Sequence, residues 1–118
     1  MNRKYELLVV DIDGTLVDAR GRISDADKKA IAAARAKGVN VALSTGRVID
    51  ACRGIIAELG LDGVHIFFDG ALVYDLSHRE TVYVQPIQTE TLKSAVAFAR
   101  ANQVYLELYA IDRYFVEE

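Results

Sequence analysis

The chain has 118 residues, of which 52% are hydrophobic and 26% charged, with one proline and eight glycines. This profile suits one ordinary domain, or one compact piece of a larger one, and it excludes intrinsic disorder. With 14 basic residues against 17 acidic ones the formal charge is −3, and in the absence of any run of like charge this argues against a nucleic-acid partner.

The N-terminus begins basic, but Leu7 to Val10 form only a short apolar run before Asp11. That is too few residues for a signal-peptide core or a membrane span, so a cytoplasmic protein without a membrane partner is expected. The same run predicts a first strand buried on both faces of a parallel sheet. Ser24 reads as a helix N-cap, with Asp27 three residues on and a helix from Asp25 to Lys37 that Gly38 stops. Val39 to Leu43 is a second apolar run ending in Ser44-Thr45-Gly46. Val48, Cys52, Ile55, Ile56 and Leu59 then recur at helical spacing until Gly60. Val64 to Phe68 supplies a third strand. The order β-α-β-α-β predicts an α/β fold, the beginning of a Rossmann-like doubly wound parallel sheet.

After Asp69-Gly70 the texture changes. Leu72 to Tyr74 and Thr81 to Val84, separated by a polar turn, predict an antiparallel ribbon, and Pro86 marks a junction. A helix from Thr89 to Ala101 and strands at Val104 to Tyr109 and Tyr114 to Val116 follow. Cys52 has no second cysteine to pair with and reads as a buried packing residue. His65 on a strand and His78 in a turn have no partner at ligand spacing, so core and surface roles are expected of them.

Two constellations carry chemistry. In Asp11-Ile12-Asp13-Gly14-Thr15, residues two apart face the same way, so both aspartates reach the crevice at the carboxyl end of the first strand while Ile12 faces the core. Two carboxylates there suit a hard cation such as Mg2+, which takes a few carboxylate oxygens together with waters and phosphate oxygens. Gly14 lets the backbone turn closely about a phosphate. A calcium-binding helix-loop-helix is excluded, because aligning Gly14 with its required glycine puts Val9 and Arg20 at acidic ligand positions. Ser44-Thr45-Gly46-Arg47 also ends an apolar strand and is expected to open a helix. A hydroxyl, free N–H groups and a cation suit a phosphate, although such a turn also serves as a plain helix cap.

The two stretches together, D-I-D-G-T-L and L-S-T-G-R about 30 residues later, resemble motifs I and II of the haloacid dehalogenase superfamily, and Gly38-Val39-Asn40-Val41 leading into the second is similar to its Cof-type phosphatases of subfamily IIB. The resemblance implies a magnesium-dependent phosphatase acting on a small phosphate monoester, a sugar phosphate by default. Asp11 would be the nucleophile and Asp13 the general acid and base, both serving the metal site. Ser44 would hold the phosphoryl group, with Gly14, Thr15, Thr45 and Gly46 around it. Arg47, Asp69 and Gly70 would lie toward the substrate, Asp69 standing where these relatives usually carry Asn. The resemblance further implies a core portion over 1–80 and the opening of a cap domain over 81–118. The motif III lysine and motif IV acidic residues have no match here, so the 118 residues alone are expected to be inactive. A phosphomutase built on the same motifs, or a non-catalytic phosphate-binding module, are the alternative readings.

Overall fold

A computed structural model describes residues 4–117. The chain divides into two compact units, Met1–Val84 and Gln85–Glu118. In the first, five strands form one sheet in sequential order: β1 (Leu7–Asp11), β2 (Asn40–Ser44), β3 (Val64–Phe67), β4 (Leu72–Asp75) and β5 (Glu80–Val84). The first three are parallel, and β4 and β5 return antiparallel. Helices α1 (Asp25–Ala36) and α2 (Ile49–Leu59) make the two crossovers. This is the Rossmann-like arrangement that the alternation of apolar runs and helical periodicity implies.

Local signals set the helix ends. The Ser24 hydroxyl accepts a hydrogen bond from the Asp27 N–H at 3.0 Å and donates to the Asp27 carboxylate at 2.6 Å. Two groups at the start of α1 are thereby satisfied from one residue pair. α2 stops at Gly60, which adopts the left-handed conformation with φ 61°. The inner faces of the helices, Ile31 on α1 and Ile49, Cys52, Ile55 and Leu59 on α2, pack with Ile12, Leu43 and Phe67. Cys52 is wholly buried, as its packing reading requires, and burial pushes its thiol up from the ordinary range.

β1 departs from expectation. Leu7, Leu8 and Val9 are 57%, 40% and 46% exposed, not buried on both faces. Among the described residues the strand stands at the sheet edge, with β2 as its one neighbour. Residues 81–84, which the sequence assigns to the second segment, belong to the first unit, because β5 pairs with β4 from Leu72↔Val84 to Asp75↔Glu80.

His65 explains a second irregularity. β2 and β3 pair only at Ser44↔Ile66, and the Leu43 N–H donates instead to His65 Nδ1 at 3.0 Å. The ring is wholly buried beside Phe67. Because Nδ1 accepts, the neutral ring carries its proton on Nε2, which has no partner among the described residues. Burial lowers the pKa of His65 from the ordinary imidazole value; Asp62 and Asp75 oppose the effect without overcoming it. The unfolded chain therefore binds this proton more tightly, and stability is lost as pH falls below about 6.5. Urea midpoints between about pH 7.5 and 5.5 should fall with acid in the parent and fall less in His65→Gln, whose amide oxygen can still accept from Leu43. Equal slopes would contradict the assignment.

The second unit holds α3 (Thr89–Asn102) and a hairpin of β6 (Leu106–Tyr109) and β7 (Tyr114–Glu117). Ala99 is buried in it, whereas Phe98, Tyr105 and Phe115 are more than half exposed. Among the described residues no helix is long and apolar enough to cross a membrane.

Candidate active site

Parallel pairing of β1 with β2 sets Asp11 directly beside Ser44 at the carboxyl ends of both strands. Beyond Asp11 the chain turns tightly, with the N–H groups of Thr15, Leu16 and Val17 all directed at the Ile12 carbonyl at 3.3, 3.0 and 3.0 Å. Ile12 is wholly buried, while Asp11 and Asp13 on either side of it are exposed. Gly14 has φ 75° and open space where a Cβ would stand, so its backbone is approachable as well as left-handed. The Thr15 hydroxyl donates to Asp11 Oδ2 at 3.0 Å and fixes that carboxylate.

The second loop is built differently from expectation. α2 begins at Ile49 with Val48 as its N-cap and no side-chain cap bond, so Ser44-Thr45-Gly46 ends β2 and enters a connecting loop and is not the helix cap. Ser44 closes β2 and is half-buried. Thr45 is buried, and its hydroxyl accepts from the Arg47 N–H at 3.1 Å, which engages that side chain within the loop.

The segment after β3 closes onto the same loop. The Asp69 N–H donates to the Thr45 carbonyl at 3.0 Å and the Phe68 N–H to the Arg47 carbonyl at 3.3 Å. Asp69 has φ 54°, a conformation Asp tolerates better than most residues. Its carboxylate lies so close to Gly46 that a Cβ there would stand 2.9 Å from Asp69 Oδ1, so a side chain at position 46 would displace that carboxylate. Asp69 and Gly70 are thus brought to the loop that follows β2.

Arg47 pairs with an acidic neighbour across the two loops. Its Nε donates to Asp13 Oδ2 at 2.9 Å and its Nη2 to Asp13 Oδ1 at 2.6 Å, a bidentate fork across 34 residues of sequence. This hydrogen bonding holds the Asp13 carboxyl below its usual value and raises Arg47 in turn. Arg47→Met is therefore expected to return the Asp13 titration, followed by carbon NMR, to a higher pH. An unmoved titration would show that the fork does not persist in solution.

For a cation, Asp11 has one carboxylate oxygen outside its bond to Thr15, whereas both Asp13 oxygens are held by Arg47 and are offered to a metal only when that fork loosens. The donor type fits magnesium, which asks for only one or two carboxylates when phosphate oxygens complete its shell. Among the described residues the three-ligand grouping lies elsewhere, at Asp75, His78 and Glu80. His78, which the sequence leaves without a partner, has its Nδ1 2.8 Å from Asp75 Oδ2. The signal that finds it is the spacing of the three residues about one tight hairpin turn.

Residues 8–118 match the family model of the haloacid dehalogenase-like hydrolases. The chain is 37% identical over 87 residues to the 5-amino-6-(5-phospho-D-ribitylamino)uracil phosphatase of Bacillus subtilis, covering 70% of this chain and 35% of that protein. A sugar phosphatase of subclass IIB superposes with TM-score 0.81 at 29% identity, over 94% of this chain and 43% of the other. A haloacid dehalogenase-like hydrolase from Bacteroides thetaiotaomicron superposes with TM-score 0.85 at 23% identity, over 98% and 44% of the two chains, and shows the shared fold. The chain thus spans less than half the length of these relatives. The family model covers both motif loops and the second unit, and the chain belongs to the haloacid dehalogenase-like hydrolases.

Proposed function

We propose that this chain carries the nucleophile end of a cytoplasmic, magnesium-dependent phosphatase for small phosphate monoesters, with sugar phosphates as the favoured class. The observation that carries the reading is the placement of Asp11 beside Ser44 at the carboxyl ends of adjacent parallel strands, where α/β sheets bind ligands. The relatives support the substrate class, since one is named for a phosphorylated ribitylamino compound and another as a sugar phosphatase.

Asp11 would attack phosphorus, forming an aspartyl-phosphate as the ester oxygen leaves, and water would then cleave the acyl phosphate to regenerate the carboxylate. The Thr15 hydroxyl orients Asp11 for the attack. Asp13 would give its proton to the leaving oxygen and then take one from the attacking water. Its fork with Arg47 favours the ionised form, which suits the second step and opposes the first. Productive binding therefore requires Arg47 to loosen from Asp13, and an incoming phosphate is a natural competitor for its guanidinium. The Gly14 and Gly46 backbone, with the Ser44 and Thr45 residues, would surround the transferring oxygens, and Asp69 and Gly70 would face the organic part of the substrate. Bound Mg2+, held by Asp11 and Asp13, would offset the like charges of carboxylate and phosphate. The second unit is read as the opening of the cap, and 1–80 with its β5 extension as part of the core.

Turnover of p-nitrophenyl phosphate by the protein containing this chain should require magnesium and stop with chelator. Ser44→Ala should lower kcat/KM by about 5- to 150-fold, equivalent to about 1–3 kcal/mol, the scale of a lost hydrogen bond to a charged group. Turnover that ignores chelator, or an unchanged kcat/KM in Ser44→Ala, would count against the metal and the phosphoryl roles respectively.

A further inference from the structure

We propose that Asp75, His78 and Glu80 form a second cation site, for a divalent ion of the zinc class, at the end of the sheet opposite Asp11. The topology fixes the separation. Asp11 and Ser44 close β1 and β2, whereas Asp75 ends the antiparallel β4 opposite Val64, the first residue of β3. The turn between β4 and β5 therefore sits at the amino end of the parallel strands, away from the phosphate-type loops.

Two features of this turn point to a positive charge there. Asp75 and Glu80 are direct cross-strand partners, and like charges in opposed positions destabilise a ladder unless something positive lies between them. One ligand atom from each of Asp75, His78 and Glu80 also lies within 4.8 Å of the others. An imidazole with two carboxylates matches zinc and its neighbours, whereas magnesium favours oxygen donors alone.

The framework is held before any ion arrives. Asp75 Oδ1 accepts from the N–H groups of Ser77 and His78 at 2.8 and 3.2 Å, leaving Oδ2 toward the His78 ring. The turn is fastened to the loop before β3, because the Gly63 N–H donates to Ser77 Oγ and the Leu76 N–H to the Gly63 carbonyl, each at 2.8 Å. The Asp75 side chain is 13% exposed and the His78 side chain 73%, so the carboxylate is a fixed ligand and the ring a movable one. Two tetrahedral zinc ligands at about 2.1 Å from the metal stand about 3.4 Å apart, so the ring would move out by about half an ångström from its present 2.8 Å contact, and the exposed Glu80 carboxylate, within 4.8 Å, would draw in. The rival is that a proton on His78 supplies the positive charge and no metal binds.

Cobalt(II) uptake by the full chain, followed by visible absorption and by dialysis, separates the two, with excess magnesium present to occupy Asp11 and Asp13. One equivalent should bind, zinc should displace it, and zinc should raise the thermal midpoint. His78→Ala should weaken uptake by at least about tenfold, and Glu80→Gln by several-fold, without change of fold, because both side chains are exposed. Asp75 is left intact in this test, since its carboxylate also holds the turn. The only other histidine, His65, and the only cysteine, Cys52, are wholly buried and offer no substitute ligand. No uptake in the parent, or undiminished uptake in His78→Ala, would overturn the proposal in favour of the protonated imidazole.

Discussion

Replacing Asp11 by Asn is expected to reduce phosphoryl transfer by at least about a thousandfold while leaving the fold intact. Asn has almost the same size and keeps an oxygen that can accept the Thr15 hydroxyl, so the turn after β1 has no reason to move. What it lacks is the anionic oxygen that attacks phosphorus. Circular dichroism and the urea midpoint should match the parent. Retained turnover above a few per cent, with deamidation excluded by mass spectrometry, would remove Asp11 from the nucleophile role.

The largest effect on stability is expected from Phe67→Ala. Phe67 is wholly buried at the end of β3, in the cluster where α2 meets the sheet. Truncating such a ring costs about 3–5 kcal/mol, the transfer term plus the cavity left behind. Total stabilities of small domains are about 5–15 kcal/mol, so the variant should be largely unfolded or have a greatly lowered urea midpoint. The effect reaches function through position, because Phe67 directly precedes the Phe68-Asp69-Gly70 turn that closes on Gly46. A loss below about 1 kcal/mol would mean that the site collapses around the missing ring and that the core is looser than its burial indicates.

Periodicity and caps made much of the fold legible. The apolar run into Asp11, the Ser24 and Asp27 pair and Gly60 are local signals, and each acts within a few residues of itself. The exposure of β1 was not legible, since Leu7 to Val10 reads the same whether or not anything covers it; exposure depends on the strand's place in the sheet. The same holds for His65. Nothing in Val-His-Ile-Phe says that the ring will take the Leu43 N–H in place of a backbone carbonyl.

In the candidate site, the gathering of Asp11 and Ser44 at adjacent strand ends was legible from their position after apolar runs. The pairing of Asp13 with Arg47 was not, because it joins two loops 34 residues apart and depends on the register of β1 against β2. Gly46 is a related case. Its close neighbour is the Asp69 carboxylate on another loop, which sequence spacing alone cannot place.

The central claim is that the phosphoryl group passes through Asp11. Rapid acid quench during turnover of p-nitrophenyl phosphate, followed by peptide mass mapping, tests it directly. The most informative form is Asp13→Asn, because p-nitrophenolate departs with little need of a proton whereas hydrolysis of the acyl phosphate still calls for a base. This variant should accumulate one phosphoryl group on the peptide containing Asp11, and the label should be absent when Asp11 is also replaced by Asn. A phosphoryl group on any other residue, or a label that survives the loss of Asp11, would contradict it.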